Sequence, residues 1–320
     1  MVSEGPNPNV LVTYDMRTWR AAGLDGVTGL SYGPLAGFGE SAYVLGHNAA
    51  ATSVWRTSDG NAWRKTELPG AMAKDPNLAI AAGPQGVVVI GYDRATTGGS
   101  STAEGLRVWY SPDGKEFSRT TLIREKVVQG GEIRLTAVHD GFLLHGIPRP
   151  VSSSPLVLWS TNGSDWQDIG SGLPTMMPDA IGRTGQTTVA LSTWFDKDEE
   201  SPGLTAWFRR DGDTQWTTGA IDLGKLPDKG VAPRGRQRVS AVHSWNGGFI
   251  GLGGTEGKDR FGAVWTSSDG ASWTRTPLGP NGFDRVSVIF AAVSQGQNVT
   301  LLGMDQSIDG PKLTSWHSSG

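Results

Sequence analysis

The sequence predicts an all-β protein built from repeated four-stranded units in a radial array. Three observations lead to this prediction. One phrase recurs along the chain: an apolar residue and Trp, then Ser or Thr, an Asp-Gly or Asn-Gly pair, and a further aromatic residue. A short apolar run that ends in Gly recurs between the copies. No segment shows the hydrophobic periodicity of an amphipathic helix. Self-similarity at a spacing of about 50 residues is typical of radial and solenoid repeat proteins.

The recurring phrase predicts a tight turn between two strands. Gly tolerates a positive φ, and the Asp or Asn side chain can accept hydrogen bonds from nearby backbone N–H groups. The aromatic residue after the turn begins the next strand and supplies a large apolar face. Full copies lie at 54–63, 108–117, 158–166, 206–216 and 264–273, with a degenerate copy at 10–19 and a truncated one at 315–320.

The apolar runs that end in Gly predict another strand of each unit. AYVLG at 42–46 and VVVIG at 87–91 are typical, and TTVALS at 187–192 has Ser192 in the place of Gly. Each run follows a weaker apolar stretch and precedes a variable polar loop and then the Trp phrase, so one unit contains four short strands. The strand sets lie near 27–69, 78–123, 133–170, 179–222, 238–279 and 286–317.

The last strand set lacks a fourth strand, and the N-terminal segment 10–24 is the candidate to supply it. TWRAAGL at 18–24 is similar to NAWRKTEL at 61–68, which is a predicted fourth strand. We therefore predict a single domain over 1–320 with six units in a ring that the N-terminal segment closes, because closure removes the exposed sheet edge. Seven units are the alternative, if 10–24 begins a partial unit of its own.

Composition argues against several classes of function. The 320 residues include 28 basic and 31 acidic ones, and a net charge of −3 argues against nucleic acid as a partner. There is no Cys, which excludes disulfides, thiolate catalysis and Cys-ligated metal. No apolar run is long enough to span a bilayer. Nucleophile-elbow, P-loop and zinc-protease motifs are absent, and we expect no cofactor.

The recurring phrase resembles the Asp-box, or BNR repeat, of β-propeller proteins. The similarity is greatest to bacterial exported propellers of unassigned activity, whose blades end in VWTSxDGxxWTR. The resemblance implies that each unit is a propeller blade, with the box in the turn between strands three and four, on the face away from any ligand. It implies structural roles for Asp59, Asp113, Asn162, Asp211 and Asp269, and for their aromatic partners Trp63, Phe117, Trp166, Trp216 and Trp273.

The chain departs from the Asp-box pattern in two ways. In most copies the aromatic residue follows Asp by four residues, one fewer than is usual, and the first copy has Met16 where Gly is expected. The resemblance also implies a bacterial protein outside the cytoplasm. The opening MVSEGPNPN has neither the basic region nor the apolar core of a signal peptide, so we expect none in this chain.

In propellers of this type, the loops between strands two and three and the links between blades form the ligand face. Residues that break the repeat there are candidates for function. The residue before the repeat Gly is polar only in the third unit, as His145, which is either a base in the central funnel or a hydrogen-bonded core histidine. Two residues past that Gly lie Asn48, Asp93, Trp194 and Asp305. The two carboxylates are either a general acid and base or solvated loop groups, and Trp194 either stacks on a ligand or packs between blades.

Basic residues open the innermost strands. Arg134 and Arg238 lie at these positions, with Arg285 close to another. Several guanidinium groups that point into the funnel would form a bidentate site for a carboxylate or other anion. This set resembles the arginine triad of sialidases, but neither their Arg-Ile-Pro motif nor a Tyr–Glu nucleophile pair is present.

One acidic loop is a weak candidate for a metal site. Asp196, Asp198 and Glu200 alternate as in calcium-binding loops, but Gly is missing at the sixth loop position and the twelfth is Trp207. We therefore expect a charged loop tip and no bound metal.

These patterns favour a monomeric, non-catalytic binding or scaffolding module. Its partner would be a protein, a carbohydrate or a small anionic ligand on the strand-two/three loop face. The alternative is a funnel-site glycosidase or lyase that uses Asp93, Asp305 and His145. A glycosidase would need two facing carboxylates about 5–10 Å apart.

Overall fold

The computed structural model describes residues 9–12, 20–23, 31–47, 51–71, 78–97, 100–123, 133–146, 155–174, 178–194, 203–224, 236–256, 261–277, 283, 288–295, 298–307 and 310–317. Within these residues the regular structure consists of β-strands, and none of them forms an α-helix. The chain divides into two compact units, Met1–Gly170 and Ser171–Gly320.

The first unit contains a two-stranded sheet and three four-stranded antiparallel sheets whose strands follow one another in chain order. The two-stranded sheet pairs β1 (Asn9–Val12) with β2 (Arg20–Gly23). The first sheet is β3 (Ser31–Phe38), β4 (Ser41–His47), β5 (Thr52–Thr57) and β6 (Arg64–Glu67). The second sheet is β7 (Ala79–Gly83), β8 (Gly86–Thr97), β9 (Ser100–Ser111) and β10 (Ser118–Ile123). The third sheet is β11 (Ile133–Val138), β12 (Gly141–Gly146), β13 (Leu156–Ser160) and β14 (Gln167–Asp168).

The second unit contains three further sheets. The fourth sheet is β15 (Ala180–Thr184), β16 (Thr187–Trp194), β17 (Gly203–Arg210) and β18 (Thr217–Ile221). The fifth sheet is β19 (Arg236–Trp245), β20 (Gly248–Glu256), β21 (Gly262–Ser267) and β22 (Ser272–Arg275), and β22 pairs with β18 in parallel. The sixth sheet is β23 (Val288–Gln295), β24 (Asn298–Ser307) and β25 (Gly310–His317).

Within each unit, consecutive sheets pack face to face. The second strand of the second sheet shows why the Gly-terminated runs are continuously apolar. Val88 and Ile90 belong to the core shared with the third sheet, whereas Val87 and Val89 belong to the core shared with the first sheet. All four side chains are almost completely buried, because this strand is covered on both faces.

The antiparallel chain order gives each sheet two different ends. We call the end that carries the turns between strands one and two and between strands three and four the turn end. The other end, from which the strand-two/three connection leaves, is the loop end. At the turn end, the Tyr110 hydroxyl donates to the carbonyl of Gln85 at 2.7 Å, and Gln85 Nε2 donates to the carbonyl of His139 at 2.9 Å. The first bond lies within the second sheet, and the second connects the turns of the second and third sheets.

The Asp-Gly phrase forms the turn between strands three and four, as the sequence predicted. In three copies the Gly N–H donates to the hydroxyl of the preceding Ser or Thr at 2.9 Å, as in Gly270 to Ser267. Asp269 Oδ1 then accepts the N–H groups of Ala271 at 2.9 Å and Ser272 at 3.0 Å. The Ser272 N–H bond is the main cause that holds the pKa of Asp269 below its usual value, because it favours the ionised form. The side chains of the turn therefore accept hydrogen bonds from the backbone of the same turn.

The glycine of the turn also lies against the preceding sheet. A Cβ on Gly163, which has a φ of +74°, would be 2.7 Å from Val88 Cγ2 in the second sheet. The same atom on Gly270 would overlap Val189 of the fourth sheet, and on Gly114 it would overlap the Tyr43 ring of the first. Both the positive φ and the close approach exclude a side chain at these positions.

Asp211 departs from the role that the phrase predicts. Its two carboxylate oxygens accept from Arg183 Nη1 at 2.8 Å and Nη2 at 2.7 Å, and Arg183 is only 2% exposed. The turn is closed instead by Asp213, which accepts the N–H of Arg210 at 3.0 Å and donates its own N–H to the Arg210 carbonyl at 3.0 Å. The reason is local: Arg209 stands where the other copies have Ser or Thr, and one extra residue precedes Trp216.

We predict that Gly270→Ala destabilises the protein more than Gly212→Ala. Gly212 has the same place in its turn and a φ of +87°, but a Cβ there would meet no atom within 4 Å. Gly212→Ala should cost about 1–2 kcal/mol of unfolding free energy for the left-handed backbone alone. Gly270→Ala should cost about 1–3 kcal/mol more, because Val189 must move. Equal urea midpoints for the two variants would contradict this account of the turn.

We also predict a pH-dependent contribution from Asp211. The side-chain hydrogen bonds from Arg183 hold the pKa of Asp211 below its usual value. Their stabilisation is therefore complete above the unfolded-state pKa of about 3.9 and is lost as the pH falls through the folded-state pKa. At pH 7, Asp211→Asn should lower the unfolding free energy by about 1–3 kcal/mol, because the buried Arg183 guanidinium loses its charged partner. In urea unfolding, the difference in unfolding free energy between wild type and variant should shrink from pH 5 to pH 2. A constant difference would refute the stabilising role of the Asp211–Arg183 pair.

Candidate functional site

The third sheet brings two candidate residues side by side near its loop end. Arg134 of β11 and His145 of β12 are directly opposite in the strand register. Directly opposed residues present their side chains on the same face of a sheet. Ile133 and Leu135, which flank Arg134, pack into the core shared with the second sheet. Arg134 and His145 therefore lie on the other face.

The two side chains differ in exposure. His145 is 5% exposed, whereas Arg134 is half-buried. The role of His145, as a base in the funnel or as a hydrogen-bonded core histidine, stays a prediction. Arg134 is the more accessible member of the pair.

Arg238 lies near the loop end of the fifth sheet. It is exposed, while its neighbour Val239 is completely buried in the core shared with the fourth sheet. The β19 register shifts between Val239 and Ala241, and the backbone carbonyl of Arg238 passes so close to Gly253 that a Cβ there would overlap it. This close approach explains why the apolar run of this sheet ends in Gly. Like Arg134, Arg238 lies on the sheet face turned away from the preceding sheet.

The structure does not bring the two candidate carboxylates together within a unit. Asp305 is half-buried in β24, opposite Lys312 of β25. Asp93 lies in β8 opposite Gly105, and its side chain is outside the described residues. Asp93 belongs to the first unit and Asp305 to the second, and their role as a catalytic pair stays a prediction.

Other candidates fall where the structure gives no side-chain description. Trp194 is the last residue of β16, opposite Gly203, and its side chain is not described. Asn48, Arg285, Asp196, Asp198 and Glu200 lie outside the described residues. Among the side chains that are described, no three His, Cys, Asp or Glu residues are grouped so that they could hold a metal ion. The described part of the chain also has no helix with the length and hydropathy needed to cross a membrane.

Sequence reasoning missed two buried arginines. Arg183 lies in a first strand, and its partner Asp211 was assigned to the turn. Arg275 ends β22 and is 4% exposed, although it belongs to the polar end of the recurring phrase. Two sequence signals separate the fourth copy from the others, namely Arg209 in place of Ser or Thr and the extra residue before Trp216. No sequence signal distinguished Arg275 from the exposed residues at its repeat position.

Comparison with solved structures shows a β-propeller fold. The chain is similar to the β-propeller domain of the Trilobed protease from Pyrococcus furiosus, with a TM-score of 0.55 and 10% identity over 98% of this chain and 86% of that one. It is also similar to the Penicillium chrysogenum alpha-L-arabinanase complexed with arabinobiose, with a TM-score of 0.50 and 10% identity over 90% of this chain and 93% of that one. No protein-family model and no curated protein matches the sequence. At this identity, the two similarities concern the fold alone.

Proposed function

We propose that the protein is a non-catalytic β-propeller binding module that recognises a carbohydrate or a small anionic ligand at the loop end of its blades. The observation that supports this most is the placement of Arg134 and Arg238. Both lie on first strands, near the loop end, on the sheet face turned away from the preceding sheet. Both occupy the same place in the two first strands, RLTAVH at 134–139 and RVSAVH at 238–243.

The turn end is a poor place for a ligand. Its carboxylates and hydroxyls accept hydrogen bonds from the backbone of the same turn, as at Asp59, where Asn61 N–H lies at 2.8 Å and Ala62 N–H at 2.9 Å. A ligand there would have to replace bonds that already exist.

The proposed module has six blades in one domain, with the N-terminal segment completing the last blade. Five sheets have four strands, and the sixth, β23–β25, has three. β2 lies within the segment that is similar to a fourth strand. Completion of the sixth sheet would leave no unpaired edge for aggregation. We further propose that the module acts as a monomer outside the bacterial cytoplasm.

Guanidinium groups suit the proposed ligand class. Arg presents a planar fork of N–H donors that matches a carboxylate or a pair of sugar hydroxyls, and it stays charged at neutral pH. The arabinanase that shares the fold was solved with arabinobiose. The similarity to that enzyme is limited to the fold, so the ligand class of this chain rests on its own arginines.

We predict that Arg238→Ala weakens ligand binding about 10- to 150-fold, which corresponds to the loss of a charge-assisted hydrogen bond. A screen of glycans and small organic acids against the wild type would supply the ligand, and calorimetry would give the affinities. Arg64→Ala is the matched control, because Arg64 is an exposed arginine at the turn end. Its affinity should equal that of the wild type.

Two results would overturn the proposal. Wild-type affinity in both Arg238→Ala and Arg134→Ala would remove the loop-end site. Turnover of a glycoside by the wild type that is lost in Asp93→Asn and Asp305→Asn would replace the binding module with a glycosidase or lyase.

A further inference from the structure

Arg275 is buried at a position of the repeat where other sheets have exposed residues. It lies opposite Trp265 in the strand register, two residues after the aromatic residue of the turn. At the same position the first, third and fourth sheets have the exposed residues Lys65, Asp168 and Thr218. Arg275 is 4% exposed, so a charged side chain is buried where its counterparts face solvent.

The side chain is enclosed by an indole ring and by the segment that follows β18. The guanidinium carbon lies 5.9 Å from the centroid of the Trp265 ring. A Cβ on Gly224, which has a φ of +69°, would be 2.9 Å from Arg275 Cδ. Both neighbours belong to the second unit, and together they place the guanidinium between the fourth and fifth sheets.

Two of its nitrogens form an unused hydrogen-bonding fork. Nε and Nη2 are buried and have no hydrogen-bond partner among the residues that the structure describes. These two N–H groups point from one edge of the planar guanidinium group, where they can donate to both oxygens of one carboxylate. Burial lowers the pKa of Arg275, and the charge of Asp222 opposes this effect. A buried cation without a bonded partner is costly, and an anion would remove that cost.

The indole at the equivalent position of the second sheet has a partner within the chain, whereas that of the first sheet, Trp55, has none among the described residues. Trp109 Nε1 donates at 2.9 Å to the carbonyl of Pro69, which precedes the positive-φ Gly70. In the second unit the carbonyl before Gly224 belongs to Leu223.

That carbonyl is already occupied. Gln237 Nε2 donates to Leu223 O at 2.8 Å. Trp265 is completely buried, and its Nε1 has no hydrogen-bond partner in the described part of the chain. The indole N–H of Trp265 is thus a second donor beside Arg275 without a partner in the described part of the chain.

We propose that Arg275 and Trp265 form a buried receptor for the carboxylate of a small organic acid, between the fourth and fifth sheets. The Nε and Nη2 groups of Arg275 bind the two carboxylate oxygens, and the indole N–H of Trp265 donates to one of them. Asp222, whose Oδ1 accepts the Gly224 N–H at 2.8 Å, adds negative charge nearby and favours a singly charged ligand over phosphate or sulfate. The ligand class that we propose is a small organic acid, either free or as the uronate group of a sugar.

This site is built from other residues than the loop-end arginines and goes beyond the function proposed above. A direct test titrates sodium acetate and sodium glucuronate separately into the ¹⁵N-labelled full chain and follows the Arg Nε–H resonances by NMR. One resonance, assigned by its absence in Arg275→Lys, should shift saturably. Equal affinities would mean that the carboxylate alone is recognised, and tighter binding of glucuronate would indicate a uronic acid. Methyl glucoside, which has no carboxylate, should leave the resonance unchanged.

Matched variants separate the site from general effects on folding. Arg275→Lys keeps the charge but loses the fork, and it should bind at least about tenfold more weakly. Trp265→Phe keeps the ring but loses the N–H, and it should bind about fivefold more weakly. Trp109→Phe removes an indole N–H that is already satisfied by Pro69, and its affinity should match the wild type. The Trp265→Phe result serves as the test if Arg275→Lys does not fold.

The absence of a saturable shift with either acid would contradict the proposal, and so would wild-type affinity in both Arg275→Lys and Trp265→Phe. Arg238→Ala should retain acetate binding at this site. A ligand that is lost in Arg238→Ala but retained in Arg275→Lys would leave the loop-end function intact while refuting this receptor. The reverse pattern would support this receptor and refute the loop-end site.

Discussion

The Asp-Gly turn is the local constraint on which the packing of consecutive sheets depends. A Ser or Thr hydroxyl holds the Gly N–H, and the Asp or Asn side chain holds the next two N–H groups, as at Asp269. This conformation brings the glycine against the second strand of the preceding sheet, where a Cβ would overlap Val88 or Val189. One phrase of sequence therefore sets both the hairpin geometry and the distance between neighbouring sheets.

This constraint separates structure from recognition along each strand. The polar groups of the turn end are used by the backbone of the turn, and the middle of the second strand is covered on both faces by apolar contacts. Arg134 and Arg238 lie outside these regions, on first strands near the loop end. Between the fourth and fifth sheets the repeat carries a buried charged residue, because Arg275 is buried at a position that is exposed in three other sheets.

The sequence was sufficient for features that depend on short-range chemistry. The turn follows from Ser or Thr, Asp and Gly at fixed spacing, and the second strands follow from apolar runs. The adjacency of Arg134 and His145 follows from the turn at 139–140, since an antiparallel hairpin pairs residues symmetrically about it. Long-range partners were not predictable. The pairing of Asp211 with Arg183 joins residues 28 apart in sequence, and the burial of Arg275 depends on the Gly224 segment that precedes its own sheet.

Native-state hydrogen exchange at the turn glycines tests the central claim most directly. Gly270 is buried, and its N–H is held by Ser267, so it should exchange as slowly as the amides of the second strand β20. Gly212, which is exposed in the turn without a Ser or Thr hydroxyl, should exchange much faster. Slow exchange at Gly270 together with fast exchange at Gly212 would show that the intact turn is part of the packed core. Equally fast exchange at both glycines would contradict the account.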